Sequence, residues 1–300
     1  MTKVHKSVML KEVIEYLNLK PGARIIDATL NGGGHTEGIL EKYSDVKILG
    51  IEWDPEIVES LKFKITSEKL EKLENNLIIV NDSYVNLKNI VKRFGFQPDG
   101  IIFDLGVSSL HYEKSGRGFS FMRAEPLDMR FNPEVNDKTA ADIVNTASWE
   151  ELDKILADYG EEQFSGEIAK GIVNSRKIKP VIETTKLVEI IKSSVPAWYC
   201  KRKIHPATKT FQALRIAVNH ELDNVADGVS AAIDILEPGG RVIVISFHGL
   251  EDKIVREIFK NKAKGKAIKW VVRGTIKQEW EEVKRNPRSR CAKMKVFEKL

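Results

Sequence analysis

Four short apolar runs, Arg24 to Ala28, Val46 to Trp53, Leu77 to Val80 and Gly100 to Leu105, alternate with longer helical patterns over the first hundred or so residues. Strands that are apolar on both faces and separated by helices predict βαβ units, a parallel sheet and right-handed crossovers. Glu37 to Tyr43 reads as the first connecting helix. Pro55 to Glu74 reads as the second, opening after Asp54 as N-cap with proline at its first position.

After Ser109 the strand rhythm stops for roughly a hundred residues. An irregular stretch from Gly116 to Asn136 leads into helical patterns at Ala140 to Val144, Trp149 to Tyr159, Glu167 to Ser175 and Thr185 to Ser193. Alternation resumes with one long helix, Thr210 to Leu236, the turn Glu237-Pro238-Gly239-Gly240 and the buried-strand run Arg241 to Phe247. Ile268 to Val272 and Met294 to Phe297 are the candidate closing strands. The expected architecture is α/β: a sheet domain formed by residues 1–112 and 208–300, interrupted by an all-helical insertion over 113–207.

No apolar run approaches the roughly 20 residues that span a bilayer, and Lys3, His5 and Lys6 before the short Val8 to Leu10 patch give no signal-peptide core. A soluble, cytoplasmic protein without a membrane partner is expected. Cys200 and Cys291 are far apart and neither lies in a Cys-x-x-Cys pair, so neither a disulfide framework nor a structural metal is expected. Charge is uneven: from Cys200 onward there are 22 Lys or Arg against 12 Asp or Glu, while the preceding residues are net acidic. Such a segment suits a polyanion partner or a lysine-rich solvated surface.

The strongest local signal is Ile25-Ile26-Asp27-Ala28-Thr29-Leu30-Asn31-Gly32-Gly33-Gly34-His35-Thr36, a strand running into glycines and then a helix. Backbone amides there can face an anion, including the carboxylate of an amino-acid-like ligand. A nucleotide P-loop is excluded because Gly34 is followed by His35-Thr36-Glu37, without the Gly-Lys-Ser/Thr closure. A dinucleotide is disfavoured because Glu37 replaces the third glycine. S-adenosylmethionine asks less of that position. It needs an acid at the end of the second strand for its ribose hydroxyls, which Glu52 supplies, and Tyr84 in Asp82-Ser83-Tyr84 can stack on adenine. Capping or strand-end solvation would account for Asp27 or Glu52 singly; their joint placement favours a ligand. His35 is read either as a polar cap or as a ligand contact.

Beyond these features the chain resembles the RsmH (MraW) family of small-subunit ribosomal RNA cytosine-N4 methyltransferases along essentially its whole length. The resemblance rests on Asn31-Gly32-Gly33-Gly34-His35-Thr36, on Asp99 through Ser109, on Arg117-Gly118-Phe119-Ser120-Phe121-Met122-Arg123 and on Pro126-Leu127-Asp128-Met129-Arg130. It continues through Tyr159-Gly160-Glu161-Glu162, His205 through Arg215, Ile245-Ser246-Phe247-His248, Leu250-Glu251-Asp252 and Asn286-Pro287-Arg288. It implies a Rossmann-like class I methyltransferase fold split by a helical substrate-recognition insertion. It further implies S-adenosylmethionine contacts at Gly33, Gly34, His35, Glu52, Tyr84, Asp104 and His111, the last standing where glutamine is usual. The implied target is a decoding-centre cytosine near the P site of 16S ribosomal RNA, within the small subunit. Asn31, Trp53 and Gly249 depart from the family pattern, and Gly166 and Glu167 remove positive charge from the insertion.

A cytosine amine is a poor nucleophile because its lone pair is delocalised into the ring, so such an enzyme must position it and accept its N–H bonds. Asp104-Leu105-Gly106-Val107 occupies the place of the polar-Pro-Pro-aromatic motif common in amino-methyltransferases. Asp104 is therefore the expected acceptor, with Ser108 and then Ser109 as the next catalytic candidates. The motif's aromatic is missing here, so Phe119 and Phe121, set among the arginines of Arg117 to Arg130, are expected either to stack the base or to pack their own loop. Lys201-Arg202-Lys203, Lys260 to Lys269 and Arg285 to Lys295 are candidate phosphate contacts. His205 and His248 are read as structural as readily as catalytic and stay outside the catalytic set. A methyltransferase for protein or DNA, or a nucleic-acid-binding protein without turnover, are the competing readings. Whether the chain forms a homodimer is left open.

Overall fold

The structure, a computed structural model, describes residues 7–68 and 70–300. Lys3, His5 and Lys6, read above for a targeting segment, lie outside the described residues, as does Lys69. The chain divides into two compact units, residues 1–107 with 222–300, and residues 108–221.

The first unit is built on seven strands: β1 (Arg24–Asp27), β2 (Lys47–Glu52), β3 (Leu77–Asn81), β4 (Gly100–Asp104), β5 (Arg241–Ser246), β6 (Ile268–Trp270) and β7 (Lys293–Lys299). Their order is β3-β2-β1-β4-β5-β7-β6. The first five in this order run parallel, and β7 enters antiparallel between β5 and β6. This is the Rossmann-like class I methyltransferase arrangement. Successive strand residues point to opposite faces, so Ile26, Leu49, Ile101 and Val242 join one core with Val225 and Val229 of helix Glu221–Ile235. Ile25, Ile48, Ile102 and Ile243 join the other, with Val13, Leu17, Ile39 and Leu61. Burial on both faces is why the strands read as continuous apolar runs.

Asp54 caps helix Pro55–Ser67 as expected, its side chain accepting the Glu56 N–H at 2.9 Å, with proline in the first turn. The helix is shorter than expected, and a second, Glu71–Asn76, precedes β3. The long helix expected over Thr210 to Leu236 is two, Thr208–Asn219 and Glu221–Ile235. His220 between them has φ 51°, a left-handed conformation that ends the first helix. No helix among the described residues is long and apolar enough to cross a membrane.

The second unit contains helices Ser109–Glu113, Ala140–Thr146, Trp149–Gly160, Ser165–Arg176, Thr184–Ser194 and Ala197–Cys200. Thr139 with Asp142, and Ser148 with Glu151, form capping boxes that start two of them. Helix Thr208–Asn219 also belongs here, which moves the expected boundary after residue 207 to residue 221. Its close approach to helix Trp149–Gly160 explains the change, for a Cβ on Gly160 would stand 2.7 Å from the Lys209 carbonyl oxygen. The irregular stretch after Glu113 is held by polar bonds: Arg117 Nη1 donates to the carbonyls of Arg130 and Phe131 at 2.9 and 3.0 Å, and the Met129 N–H donates to the Arg117 carbonyl at 2.7 Å.

Candidate active site

The strand order reverses between β1 and β4, and in open parallel sheets ligands bind beyond the carboxyl ends of the strands at that reversal. Three acids end the strands there: Asp27 on β1, Glu52 on β2 and Asp104 on β4. The chain leaving β1 stays against its neighbours, as the Ala28 N–H donates to the Ile102 carbonyl and the Leu30 N–H to the Ile51 carbonyl. It turns at Gly33, φ 77°, into helix Gly34–Lys42. At Gly33 this φ disfavours any L side chain, and a Cβ would also press on Leu61 at 3.1 Å; at Gly34 a Cβ would displace the Ser7 hydroxyl, 2.2 Å from its position. The Cβ position of Gly32 faces open space.

Asp27 is buried, accepting the Thr36 hydroxyl at 2.9 Å and, more weakly, the Thr29 N–H at 3.4 Å. Burial raises its pKa above the usual carboxylate range, although His35 and these donors oppose the rise. Thr36 was not singled out in the sequence, yet its hydroxyl is what binds the Asp27 carboxylate. Thr36→Val keeps the shape and leaves that oxygen without its donor, so it should cost about 1–3 kcal/mol, measured by urea denaturation.

Glu52 Oε2 accepts the Asn31 N–H at 2.8 Å and Oε1 the Asp54 N–H at 2.9 Å. These bonds tie β2 to the glycine loop. Burial pushes the Glu52 carboxyl up to about 7, with the Asp54 charge adding to the rise, against the pull of the Asp54, Asn31 and Trp53 amides.

Asp104 is held by its own N–H, which donates to Thr29 Oγ1 at 2.6 Å. Its Oδ1 is buried without a hydrogen-bond partner among the described residues. Its Oδ2 faces His35 Nδ1 at 3.6 Å. Burial raises the Asp104 carboxyl to about 6; Asp27 adds to the rise and His35 opposes it. His35 is not the cap, a position Gly33 occupies; it is a buried first-turn residue beside the acids. Its Nε2 lies 2.9 Å from the Val8 carbonyl, which can only accept, so Nε2 carries a proton. A neutral imidazole would then turn a bare Nδ1 toward Asp104, and the contact is attractive only when the pair holds one further proton.

Tyr84 follows β3 in a short 3-10 turn. Its ring meets Phe103 edge-on at 5.5 Å and packs on Gly228, where a Cβ would lie 2.4 Å away. Next to the β4 end, Phe247 packs on Gly106, whose Cβ position is 2.8 Å from the ring. His248 caps helix Gly249–Lys264, with its Nε2 2.9 Å from Glu251 Oε1, and Glu251 accepts the Phe247 N–H at 2.7 Å.

Ser108 and His111 belong to the helical unit. Ser108 is buried and caps helix Ser109–Glu113, accepting the Leu110 N–H at 3.3 Å. His111 is buried between Phe119 and Phe131, at 4.8 and 4.9 Å. Phe119 and Phe121, read as stacking a base or packing their own loop, both make ring contacts within the helical unit. Phe119 is buried and stacks on Phe131 at 5.5 Å. Phe121 lies flat on His205 at 4.6 Å and edge-on to Phe211 at 5.5 Å.

Several basic candidates are also spent internally. Lys295 is buried and bound to Asp252, Lys262 pairs with Asp234 at 2.7 Å, and Lys269 pairs with Glu298 at 2.7 Å. The basic character of the last third of the chain thus partly serves the sheet unit itself.

The model of the MraW methylase family matches residues 2–300. A protein of Dictyoglomus thermophilum named ribosomal RNA small subunit methyltransferase H is 46% identical over 299 residues, covering 99% of this chain and 97% of that one. Relatives with the same name from Dehalococcoides mccartyi and Carboxydothermus hydrogenoformans are 42% and 38% identical, each across 99% of this chain and across 86% and 98% of their own lengths.

Proposed function

The chain belongs to the MraW methylase family, and from that premise we propose that it methylates the N4 amine of a P-site cytosine in the decoding centre of 16S ribosomal RNA, using S-adenosylmethionine. The names of its relatives support a small-subunit RNA substrate. The observation that carries the reaction is the buried, partnerless Oδ1 of Asp104 at the sheet's reversal, with Glu52 two strands away. A buried acceptor left unmet costs free energy, and a ligand N–H would meet it.

The residues present fit S-adenosylmethionine. Glu52 is the acceptor for the ribose hydroxyls, the glycine loop presents backbone amides at a helix start for the amino-acid carboxylate, and the Gly32 side is open. Gly33, Gly34, His35 and Tyr84 complete this side of the proposed cofactor site, with His111 assigned to it by resemblance. When bound, the cofactor supplies an electrophilic methyl group on sulfur. Asp104 accepts a hydrogen bond from the target amine at Oδ1, which raises the electron density on nitrogen and fixes its direction of approach. Because burial makes this carboxylate more basic than an exposed one, it is a stronger acceptor and can hold the amine proton after transfer. A protonated His35 stabilises the ionised Asp104 through Oδ2. Ser108 remains the second candidate for touching the base, and the helical unit serves substrate recognition. The enzyme acts in the cytoplasm, where small subunits mature.

The test is transfer of labelled methyl from S-adenosylmethionine to purified small subunits that lack the modification, followed by digestion to nucleosides. N4-methylcytidine is the expected product. Labelling at another base or atom would overturn the target, and failure to bind S-adenosylmethionine would overturn the whole reading.

A further inference from the structure

Of the three basic clusters in the sequence, the one at Lys201-Arg202-Lys203 is entirely exposed. It directly follows the short helix Ala197–Cys200, which carries Trp198 with 56% of its surface exposed. A large aromatic left more than half in water is unfavourable unless something covers it. Trp198 is also held in place. It meets Phe164 edge-on at 5.9 Å and Tyr199 edge-on at 5.8 Å. Tyr199 in turn is buried and donates its hydroxyl to the two oxygens of the buried Glu162, at 2.7 and 2.8 Å. The Arg202 guanidinium lies over the Tyr199 ring at 4.9 Å, and a further apolar residue, Ile204, is 56% exposed just beyond the cations.

We propose that this segment of the helical unit, Trp198 with Lys201, Arg202 and Lys203, is a docking platform for a single-stranded stretch of RNA flanking the methylated nucleotide. The inference rests on the RNA substrate proposed above and names the surface that grips it. A rigid, exposed aromatic stacks any unpaired base because every base has a π face, and cations a few residues away neutralise the neighbouring phosphates. Rigidity matters because a preordered ring loses little entropy on binding. The two phenylalanines expected to do this work are occupied by His111, Phe131, His205 and Phe211 within their own unit, whereas Trp198 presents open surface. Three adjacent cations favour RNA over a second copy of this chain, which would bring the same positive charge to the contact.

The experiment measures binding of the full-length protein to unmethylated small subunits at several salt concentrations, for the wild type, Trp198→Ala, Trp198→Phe and the triple variant Lys201→Ala, Arg202→Ala, Lys203→Ala. Trp198→Ala should raise Kd roughly 5- to 100-fold with little change in salt dependence, and Trp198→Phe should restore most of the affinity. The triple variant should flatten the slope of log K against log salt by about two units. Affinity for S-adenosylmethionine should stay at the wild-type value in all of them. Unchanged subunit affinity in both alanine variants overturns the proposal. So does a wild-type protein that sediments as a dimer which Trp198→Ala dissociates, because the platform would then be a contact between copies. A wild type that binds subunits through this surface but transfers no methyl group would overturn the proposed reaction and leave the platform standing.

Discussion

Asp104→Asn is expected to lower the rate of methyl transfer to unmethylated subunits by about 10²–10³ while the protein folds normally. The substitution is isosteric, and an asparagine Nδ2 at the Oδ2 position can donate to the bare His35 Nδ1, replacing a contact that in the wild type needs an extra proton. The loss is therefore confined to the charge of the acceptor at Oδ1. The pH profile separates this role from a structural one. With the Asp104 carboxyl raised to about 6, wild-type kcat should climb with pH through about 6 and then level off, and that limb should vanish in Asp104→Asn. Stability runs the other way. The folded state binds this proton more tightly than the unfolded state, so the group's stabilising contribution is full below about 4, its ordinary value, and is lost as pH rises through about 6. Asp104→Asn should thus be no less stable than the wild type at pH 8 in urea titrations. An unaltered rate at saturating substrate would remove Asp104 from the chemistry.

Glu52→Gln is expected to weaken S-adenosylmethionine binding roughly 10²-fold, measured by calorimetry, because two hydrogen bonds to a carboxylate become bonds to a neutral amide. Its effect on stability is a balance. Burial raises the Glu52 carboxyl from 4.5 to about 7, so holding it ionised above pH 7 costs on the order of 3 kcal/mol, which glutamine removes. Glutamine also turns an amide N–H₂ toward either the Asn31 or the Asp54 N–H, a donor facing a donor, at about 1–3 kcal/mol. The two offset, so Tm at pH 8 should move little. The distinguishing signature is pH dependence. In the wild type Glu52's contribution is full below about 4.5 and lost as pH rises through about 7, whereas the variant should lack that component between pH 5 and 8. Wild-type cofactor affinity should rise with pH up to about 7 and then level off, since the ribose hydroxyls donate best to the ionised carboxylate.

Much of this molecule is legible from local pattern. The strands were readable because burial on both faces of a parallel sheet leaves uninterrupted β-branched runs, and Asp54 with Pro55 announced a helix start by residue type alone. Glu52 could be nominated because an acid ending the second strand suits a ribose, and Asp104 because it stands where amino-methyltransferases carry their polar motif. Those are properties of neighbours in the chain, and no tertiary contact is needed to see them.

What tertiary structure alone decided are the matters of partnership. The break at His220 ends an otherwise uninterrupted helical pattern, and helix Thr208–Asn219 sits with the insertion because Gly160 admits it. Phe119 and Lys295 look like surface residues poised for RNA, yet one is sealed in an aromatic cluster and the other is buried against Asp252. Trp198, in contrast, has no polar or periodic signature to mark it, and only the fold shows it held in place and exposed beside three cations. The basicity of Asp104 and its contact with His35 arise from residues brought together by the fold: Thr29 is 75 positions away in the chain from Asp104, and Val8 is 27 from His35. Chain pattern determines which residues can lie in the core, because that depends on their own polarity and period. Which polar group meets which depends on long-range packing, and so the chemistry of this site belongs to the fold.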